Sequence, residues 1–156
     1  MDKASYEQLY MELLPGMYRL AQGILHHPAD AQDAVQQAAL NVWRHIDRLK
    51  DDRARAYIAR AVINEARNIQ RERMRQYPAE RIDHGAQSTA SDPSLRDAMD
   101  ALPENLRLPL LLKYMEGYSE KEAAEALHIT LPSLKARLYR ARRRLERELR
   151  EEVELL

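Results

Sequence analysis

No cysteine and no phenylalanine occur in these 156 residues, and glycine appears only four times. The missing thiols exclude a disulfide framework and any thiolate metal site, and they are compatible with a reducing compartment. Scarce glycine, together with abundant Ala, Leu, Arg and Glu, favours helices over sheets. No apolar run approaches the roughly 20 residues of a membrane helix. The N-terminus carries Asp2, Glu7 and Glu12 where a signal peptide needs a basic start and an apolar stretch. A soluble, cytoplasmic chain with no direct membrane insertion is the expectation. There is no Gly-rich phosphate loop, and the histidines at 26, 27, 45, 84 and 128 share no metal-site spacing. Neither enzymatic activity, a catalytic residue, a metal nor a cofactor is expected. His26 and His27 beside Asp30 are the one conceivable metal site, and a histidine pair at a helix end is more often structural or solvated.

Net charge is also missing, since Lys and Arg total 25 and Asp and Glu total 25. Any nucleic-acid signal must therefore come from local segregation of charge. That segregation is present. Residues 135–150 hold Lys135, Arg137, Arg140, Arg142, Arg143, Arg144, Arg147 and Arg150 against only Glu146 and Glu148. Residues 44–75 hold ten basic side chains (Arg44, Arg48, Lys50, Arg53, Arg55, Arg60, Arg67, Arg71, Arg73, Arg75) against Asp47, Asp51, Asp52, Glu65 and Glu72. Between the two blocks, residues 83–104 carry Asp83, Asp92, Asp97, Asp100 and Glu104 and only Arg96. Two phosphate-facing surfaces separated by an acidic connector are expected.

Periodicity divides the chain in the same way. Tyr6, Leu9, Tyr10, Leu13, Leu14, Met17, Leu20, Ala21 and Ile24 recur at three- and four-residue steps, which predicts a first amphipathic helix with a kink at Pro15-Gly16. Asp30 is the expected N-cap of a second helix whose stripe runs Ala31, Ala34, Val35, Ala38, Val42, Trp43 and Ile46. A third is expected over 52–74, with Tyr57, Ile58, Ala61, Val62, Ala66 and Ile69 buried and arginines elsewhere. Pro78, Gly85, Ser88, Thr89 and Ser91 break the pattern over 77–92, a linker long enough to place its two sides independently. Asp92-Pro93 then opens a helix by N-cap and first-position proline, Pro103 interrupts it, and 105–115 continues in helical register to Gly117. The fold class is all-α: two small helical domains joined by a flexible linker.

The second domain ends in a helix-turn-helix. Ser119 and Glu122 form a capping box that fixes the start of a supporting helix over 119–127. His128-Ile129-Thr130 supplies the turn, with His128 at a position many such motifs give to glycine and with a second N-cap at Thr130. In the helix over 130–145, Leu134, Leu138, Ala141 and Leu145 share one stripe. Ser133, Lys135, Ala136, Arg137, Tyr139, Arg140 and Arg143 are left on other faces as DNA-reading candidates. Arg140 is the expected base reader, and Arg142, Arg143 and Arg144 suit phosphates. Arg147 and Arg150, with glutamates nearby, read as a solvated helix face.

Residues 6–149 resemble an extracytoplasmic-function, or group 4, sigma factor of the sigma-70 family of bacterial RNA polymerase. Asp30-Ala-Gln-Asp-Ala-Val-Gln36 leading to Val42-Trp43 is similar to the family's helix that docks on the clamp coiled coil of the polymerase β′ subunit, with Gln32 for the usual Glu and Ala39 for the usual Phe. The resemblance implies core-polymerase contacts at Asp33, Gln36, Gln37, Leu40 and Asn41. Arg55-Ala-Tyr-Ile58 with Asn64, Asn68 and Arg71 is similar to the helix that engages the −10 promoter element, Tyr57 standing for Trp and Asn68 for Asp. The family captures a non-template base beside the preceding loop, here 47–53. Unstacking a base requires polar edge contacts and cationic clamps, for which Arg53, Arg55, Arg60, Asn64, Arg67, Asn68 and Arg71 are suitable. The alternative for this helix is a basic, solvated face.

Ala101-Leu-Pro-Glu104, Glu116-Gly117-Tyr118-Ser119 and the basic run from Ser133 to Arg142 resemble the family's −35-reading domain in order and spacing. The implied organisation is sigma region 2 over 1–76, for core polymerase and the −10 element, a linker over 77–92, and sigma region 4 over 93–156. The implied partners are core RNA polymerase, through its β′ clamp coiled coil and β flap, promoter DNA, and an anti-sigma factor. Two competing functions are a sigma-like decoy that binds an anti-sigma factor without transcribing, and a helix-turn-helix repressor. A decoy has no need of the arginines at 137, 140, 142 and 143, and a repressor leaves the Asp30 motif and the second basic helix without purpose. Arg140→Ala should cost about 1–3 kcal/mol at one base position of a binding-site library, whereas Arg143→Ala should weaken all sequences alike and reduce salt dependence. Equal losses on every sequence from both variants would refute that division of labour.

Overall fold

A computed structural model of the chain describes residues 1–77 and 93–154, and every element in them is helical. Helix α1 (Lys3–Leu25) starts under Asp2, whose carboxylate accepts the Ser5 N–H at 2.7 Å. Pro15, at the expected kink, lies inside the helix without ending it. The apolar stripe explains why: Tyr6, Met17, Leu20, Ala21 and Ile24 are buried on both sides of the proline, so packing carries the helix past the lost N–H. His26, in the left-handed region at φ 55°, closes the helix.

Helix α2 (Pro28–Arg44) corrects the expected cap. His27, not Asp30, is the N-cap, and its Nδ1 accepts the Asp30 N–H at 3.4 Å. Pro28 occupies the first helical position, where its fixed φ suits the helix and its missing N–H costs nothing, so the cap must precede it. Asp30 is instead buried in the first turn. Its carboxylate accepts two hydrogen bonds from Arg73, at 2.7 and 3.0 Å, and the positive helix end favours the same charge.

Two 3₁₀ turns, Ile46–Arg48 and Asp51–Arg53, lead to α3 (Ala54–Gln76). The third helix thus begins later than 52, because the acidic pair at 51 and 52 is spent on a separate turn. Small residues make the three-helix core possible: Ala31, Ala34, Ala38, Ala54, Ala59 and Ala66 are fully buried and let the helices cross closely. Met17, Leu20, Ile24, Ile58 and Ile63 fill the remaining volume, each burial being worth about 1.5–3 kcal/mol. Tyr57, expected in this core, is 41% exposed.

Of the expected linker at 77–92, Tyr77 is the C-cap of α3, and residues 78–92, with the expected cap Asp92 among them, lie outside the described residues. Helix α4 (Pro93–Asp100) is followed by Pro103 as N-cap of α5 (Glu104–Leu110), as the interruption at Pro103 predicts. The helical register runs on through a π turn, Leu111–Met115, in which Glu116 N–H reaches back five residues to the Leu111 carbonyl at 2.9 Å. Gly117, at φ +72°, ends it in a conformation that suits glycine. In α6 (Glu120–Leu127) both halves of the capping box form, at 2.9 and 3.0 Å. His128 takes the left-handed turn position at φ 56°, and α7 (Leu131–Glu154) follows with Thr130 Oγ1 accepting the Ser133 N–H at 3.2 Å. Leu134, Leu138 and Ala141 are buried, with Leu145 packed beside them.

The two helical units pack directly on each other, α3 against α6 and α1 against α5. Arg73→Ala strands the Asp30 carboxylate; because Arg73 is half exposed, the expected loss in urea unfolding is about 1–2 kcal/mol rather than the larger cost of a fully buried pair. Ser119→Ala removes one capping acceptor and should cost about 1 kcal/mol in the same measurement.

Candidate nucleic-acid interface

Three exposed faces carry the sequence-predicted residues. On α2, Asp33, Gln36, Gln37, Leu40 and Asn41 follow one another at helical steps on the side opposite the buried alanines. Leu40 is 53% exposed, an apolar anchor in a polar surround. Gln37 donates to Asn41 Oδ1 at 3.3 Å, and Asn41 donates to Glu65 Oε1 on α3 at 2.6 Å, so this face is braced on the next helix. Behind it, the Tyr6 and Tyr10 hydroxyls donate to the Ala39 and Val35 carbonyls at 2.8 and 2.6 Å. Burial pushes the Tyr6 phenol up to about 12 and raises Tyr10 as well, which keeps both as neutral donors. Trp43 packs against Tyr6 at a tilt, with ring centroids 5.7 Å apart, and lies under Lys3, in the packing role expected of it.

On α3 the candidate −10 residues divide between two sides. Tyr57, Arg60, Asn64, Asn68 and Arg71 form a stripe at three- and four-residue steps that is open to solvent or half-buried, with exposed Arg53 just ahead of the helix. Arg71 donates to Asn68 within it. Arg55 and Arg67 point elsewhere. The Arg55 guanidinium donates to the Glu116 carbonyl at 2.7 Å, lies 4.1 Å over the Tyr118 ring and is 3.9 Å from Glu122. Arg67 donates to Glu104 at 3.1 Å. These two are therefore gathered to the second unit and the other five are not.

Sequence reasoning placed Tyr57 in the core, yet it stands in the cationic stripe, where a π face among guanidinium groups suits stacking of an unpaired base. The signal was available: its helical steps to Arg60, Asn64 and Arg71 put it on the polar side, whereas Ile58 and Val62 carry the buried one. The roles of Arg107 and Glu116 were also missed. Arg107, 5% exposed, donates to the carbonyls of Gly23, Asp100 and Leu102 at 3.0, 3.1 and 2.8 Å. Burial lowers its pKa, with Glu104 and Asp100 opposing that shift. An arginine in a run otherwise rich in leucine, Leu106 to Leu112, was the hint.

On α7, Lys135, Ala136, Tyr139, Arg140 and Arg143 are exposed, and Ser133 and Arg137 are half-buried. Arg140, Arg143, Arg144 and Arg147 line one cleft of about 480 Å³ with Tyr139, Pro103, Asn105 and Leu106. Arg147, read from sequence as a solvated position, is exposed at this cleft. The Arg143 guanidinium lies 5.8 Å over the Tyr139 ring, and Arg142 donates to the Tyr114 hydroxyl at 2.8 Å, tying α7 to the π turn. Lys113 donates to Glu120 at 2.9 Å and holds that carboxyl below its usual range, which fixes the start of α6 on the same turn.

No cluster of three or more His, Cys, Asp or Glu side chains suited to a metal occurs among the described residues. His27 is engaged as the α2 cap. No helix among the described residues is long and apolar enough to cross a membrane.

The architecture defines a bipartite helical protein: a three-helix unit with an exposed polar face and a cationic stripe, joined to a helix-turn-helix. Comparison with known proteins identifies its family. Residues 9–76 match the family described as Sigma-70 region 2, and residues 93–145 match Sigma-70, region 4. The RNA polymerase sigma-E factor of Streptomyces antibioticus is 30% identical over 151 residues, spanning 92% of this chain and 84% of that protein. The ECF RNA polymerase sigma-E factor of Escherichia coli K12 is 26% identical over 141 residues, 77% of this chain and 74% of the relative. Among solved structures, the sigma factor RpoE in complex with the anti-sigma factor NepR from Bartonella quintana shares the fold with a TM-score of 0.77 at 23% identity, over 94% of this chain and 97% of that one. The chain belongs to the sigma-70 family of sigma factors, in its extracytoplasmic-function group.

Tyr57→Ala should weaken binding of a single-stranded oligonucleotide by about 1–3 kcal/mol, the range of base–aromatic stacking, and Tyr57→Trp should restore it. Thermal unfolding of the same variants should hardly change, since the ring is exposed. A loss of stability equal to the loss of binding would return Tyr57 to the core.

Proposed function

We propose that this sigma factor binds core RNA polymerase through the α2 face, reads the −35 duplex with the N-terminal half of α7, and opens −10 DNA with the α3 stripe. In this reading residues 1–76 are the core-polymerase and −10 domain, and residues 93–156 the −35 domain. Asp33, Gln36, Gln37, Leu40 and Asn41 meet the β′ clamp coiled coil, and the second domain meets the β flap. Arg53, Arg60, Asn64, Asn68 and Arg71 hold the displaced strand around Tyr57. Ser133, Lys135, Ala136, Arg137, Tyr139 and Arg140 face base edges, while Arg143 contacts phosphate. An anti-sigma factor is a further partner, as in the RpoE–NepR complex, and the protein works in the cytoplasm where polymerase and DNA are found.

The observation that carries this reading is the division of one small domain into two separate exposed faces: a polar one centred on Leu40 and a cationic one centred on Tyr57. A repressor has no use for the first, and a decoy has no use for the second. Phosphate contacts on both domains supply affinity without sequence information, and specificity then rests on the base-edge residues of α7 and the captured base beside α3.

Run-off transcription with core polymerase on a genomic library tests it, with promoter-specific transcripts that depend on the added chain as the expected result. Leu40→Ala should weaken core binding by about 1–2 kcal/mol, as for an apolar interface anchor, and leave binding of free DNA intact. An absence of specific transcripts on every template, together with tight binding to a membrane-anchored regulator, would replace this reading with the decoy.

A further inference from the structure

Helix α7 carries no acid from Leu131 to Leu145, yet the fold brings one to it from another element. Glu120, the first residue of α6, accepts from Lys113 of the π turn at 2.9 Å. That hydrogen bond, and then the charges of Lys113, Lys135 and Arg142, hold its carboxyl below the usual range. Glu120 is therefore a carboxylate at neutral pH, set among three cations from the π turn and α7. The other acid of the same first turn, Glu122, is spent on the Ser119 cap. Lys113 also lies 5.3 Å over the Tyr114 ring, and Arg142 donates to the Tyr114 hydroxyl at 2.8 Å. Lys113 and Arg142 are thus held in place by Glu120 and Tyr114, while each cation has more N–H groups than these contacts use.

In a helix-turn-helix the second helix enters the groove while the supporting helix crosses the backbone, so the start of α6 belongs beside phosphates. An acid there opposes DNA of every sequence, because it repels phosphate and partly neutralises the cations around it. Affinity for arbitrary duplex comes from phosphate contacts, whereas discrimination is the ratio between two affinities. An untethered lysine or arginine reaches whichever phosphate is near, in any register. One tied to a carboxylate meets a phosphate only where the strand passes its fixed position, and base contacts by α7 are what bring the strand there. We infer that Glu120 is a specificity-determining residue of this helix-turn-helix: by restraining and partly neutralising Lys113 and Arg142 it lowers affinity for unrelated duplex more than for the preferred site. It does so without touching a base. The inference rests on the −35 reading of α7.

The full chain serves for the test, since Lys135, Tyr139 and Arg140 are exposed in it. Two probes are compared: a duplex enriched by the parent chain from a random library, and the unselected duplex pool of the same length. Glu120→Gln should raise affinity for the pool about eightfold at about 0.1 M salt and steepen its slope against log salt by about 0.9, the value of one further phosphate contact. On the enriched duplex the lost placement of Lys113 and Arg142 offsets the lost repulsion, and affinity should change less than about twofold, so that discrimination falls about fourfold or more. Glu120→Asp keeps the carboxylate and should keep the parent's discrimination. Glu125→Gln makes the same charge change at the other end of α6 and should keep it too. An equal rise on both probes, or no rise on the pool, would overturn the inference and leave the −35 reading standing. So would an equal fall in discrimination in Glu125→Gln, which would assign the effect to net charge. A purely structural role would instead lower affinity for both probes together with the unfolding temperature, and would overturn the inference as well. If the parent chain enriches no sequence at all, the −35 reading and the inference fall together.

Discussion

A guanidinium almost without solvent, that of Arg107, is the interaction on which the arrangement of helices most depends. It reaches three backbone carbonyls from two different places, Gly23 at the end of α1 and Asp100 and Leu102 where α4 gives way to α5. Carbonyls at a helix end and in a tight connection have no partner in the helix ladder, and burying them unsatisfied is costly. One cation answers for all three. Its own desolvation is offset by those bonds and by the nearby acids Glu104 and Asp100. Fixing α5 against α1 in this way sets the π turn that follows, and the π turn holds α6 through Lys113 and α7 through Tyr114. The helix-turn-helix is positioned at the end of that chain of contacts.

Much of the surface chemistry follows from the same placement. The first domain offers a polar face and a cationic stripe from two helices whose buried sides are packed by alanines, so both faces belong to one rigid body. The helix-turn-helix alone would describe a repressor as well as a sigma factor. Its partner domain makes the difference, because residues 9–76 match Sigma-70 region 2. Charge neutrality of the whole chain has a structural counterpart as well. Glu104, Glu116 and Glu122 are not spread evenly over the surface but meet Arg67, Arg19 and Arg55 between the units.

The helices were legible to within a few residues wherever an apolar stripe and a cap agreed. The Ser119–Glu122 box, the left-handed turn at His128, the cap at Thr130 and the interruption at Pro103 all fall where their local chemistry puts them. The errors came where one local signal was read without its neighbour. Asp30 has the side chain of an N-cap, but Pro28 before it moves the cap to His27 and leaves the aspartate to Arg73. Tyr57 has the hydropathy of a core residue, but its angular position beside Arg60 and Asn64 sets it outward.

By itself the sequence determined the elements, the all-helical class and the family, because periodicity, caps and turn residues act over three to seven positions and motif order can be read along the chain. It also determined which side chains stand on the α2 and α7 faces. Only the tertiary structure decided that the two domains meet, and that Arg55 and Arg67 turn toward that meeting while Arg60, Asn64 and Arg71 do not. The reason is physical. A guanidinium's partner is chosen by geometry across 37 residues for Arg67 with Glu104, 61 for Arg55 with Glu116 and 97 for Arg19 with Glu116, separations over which no local pattern survives.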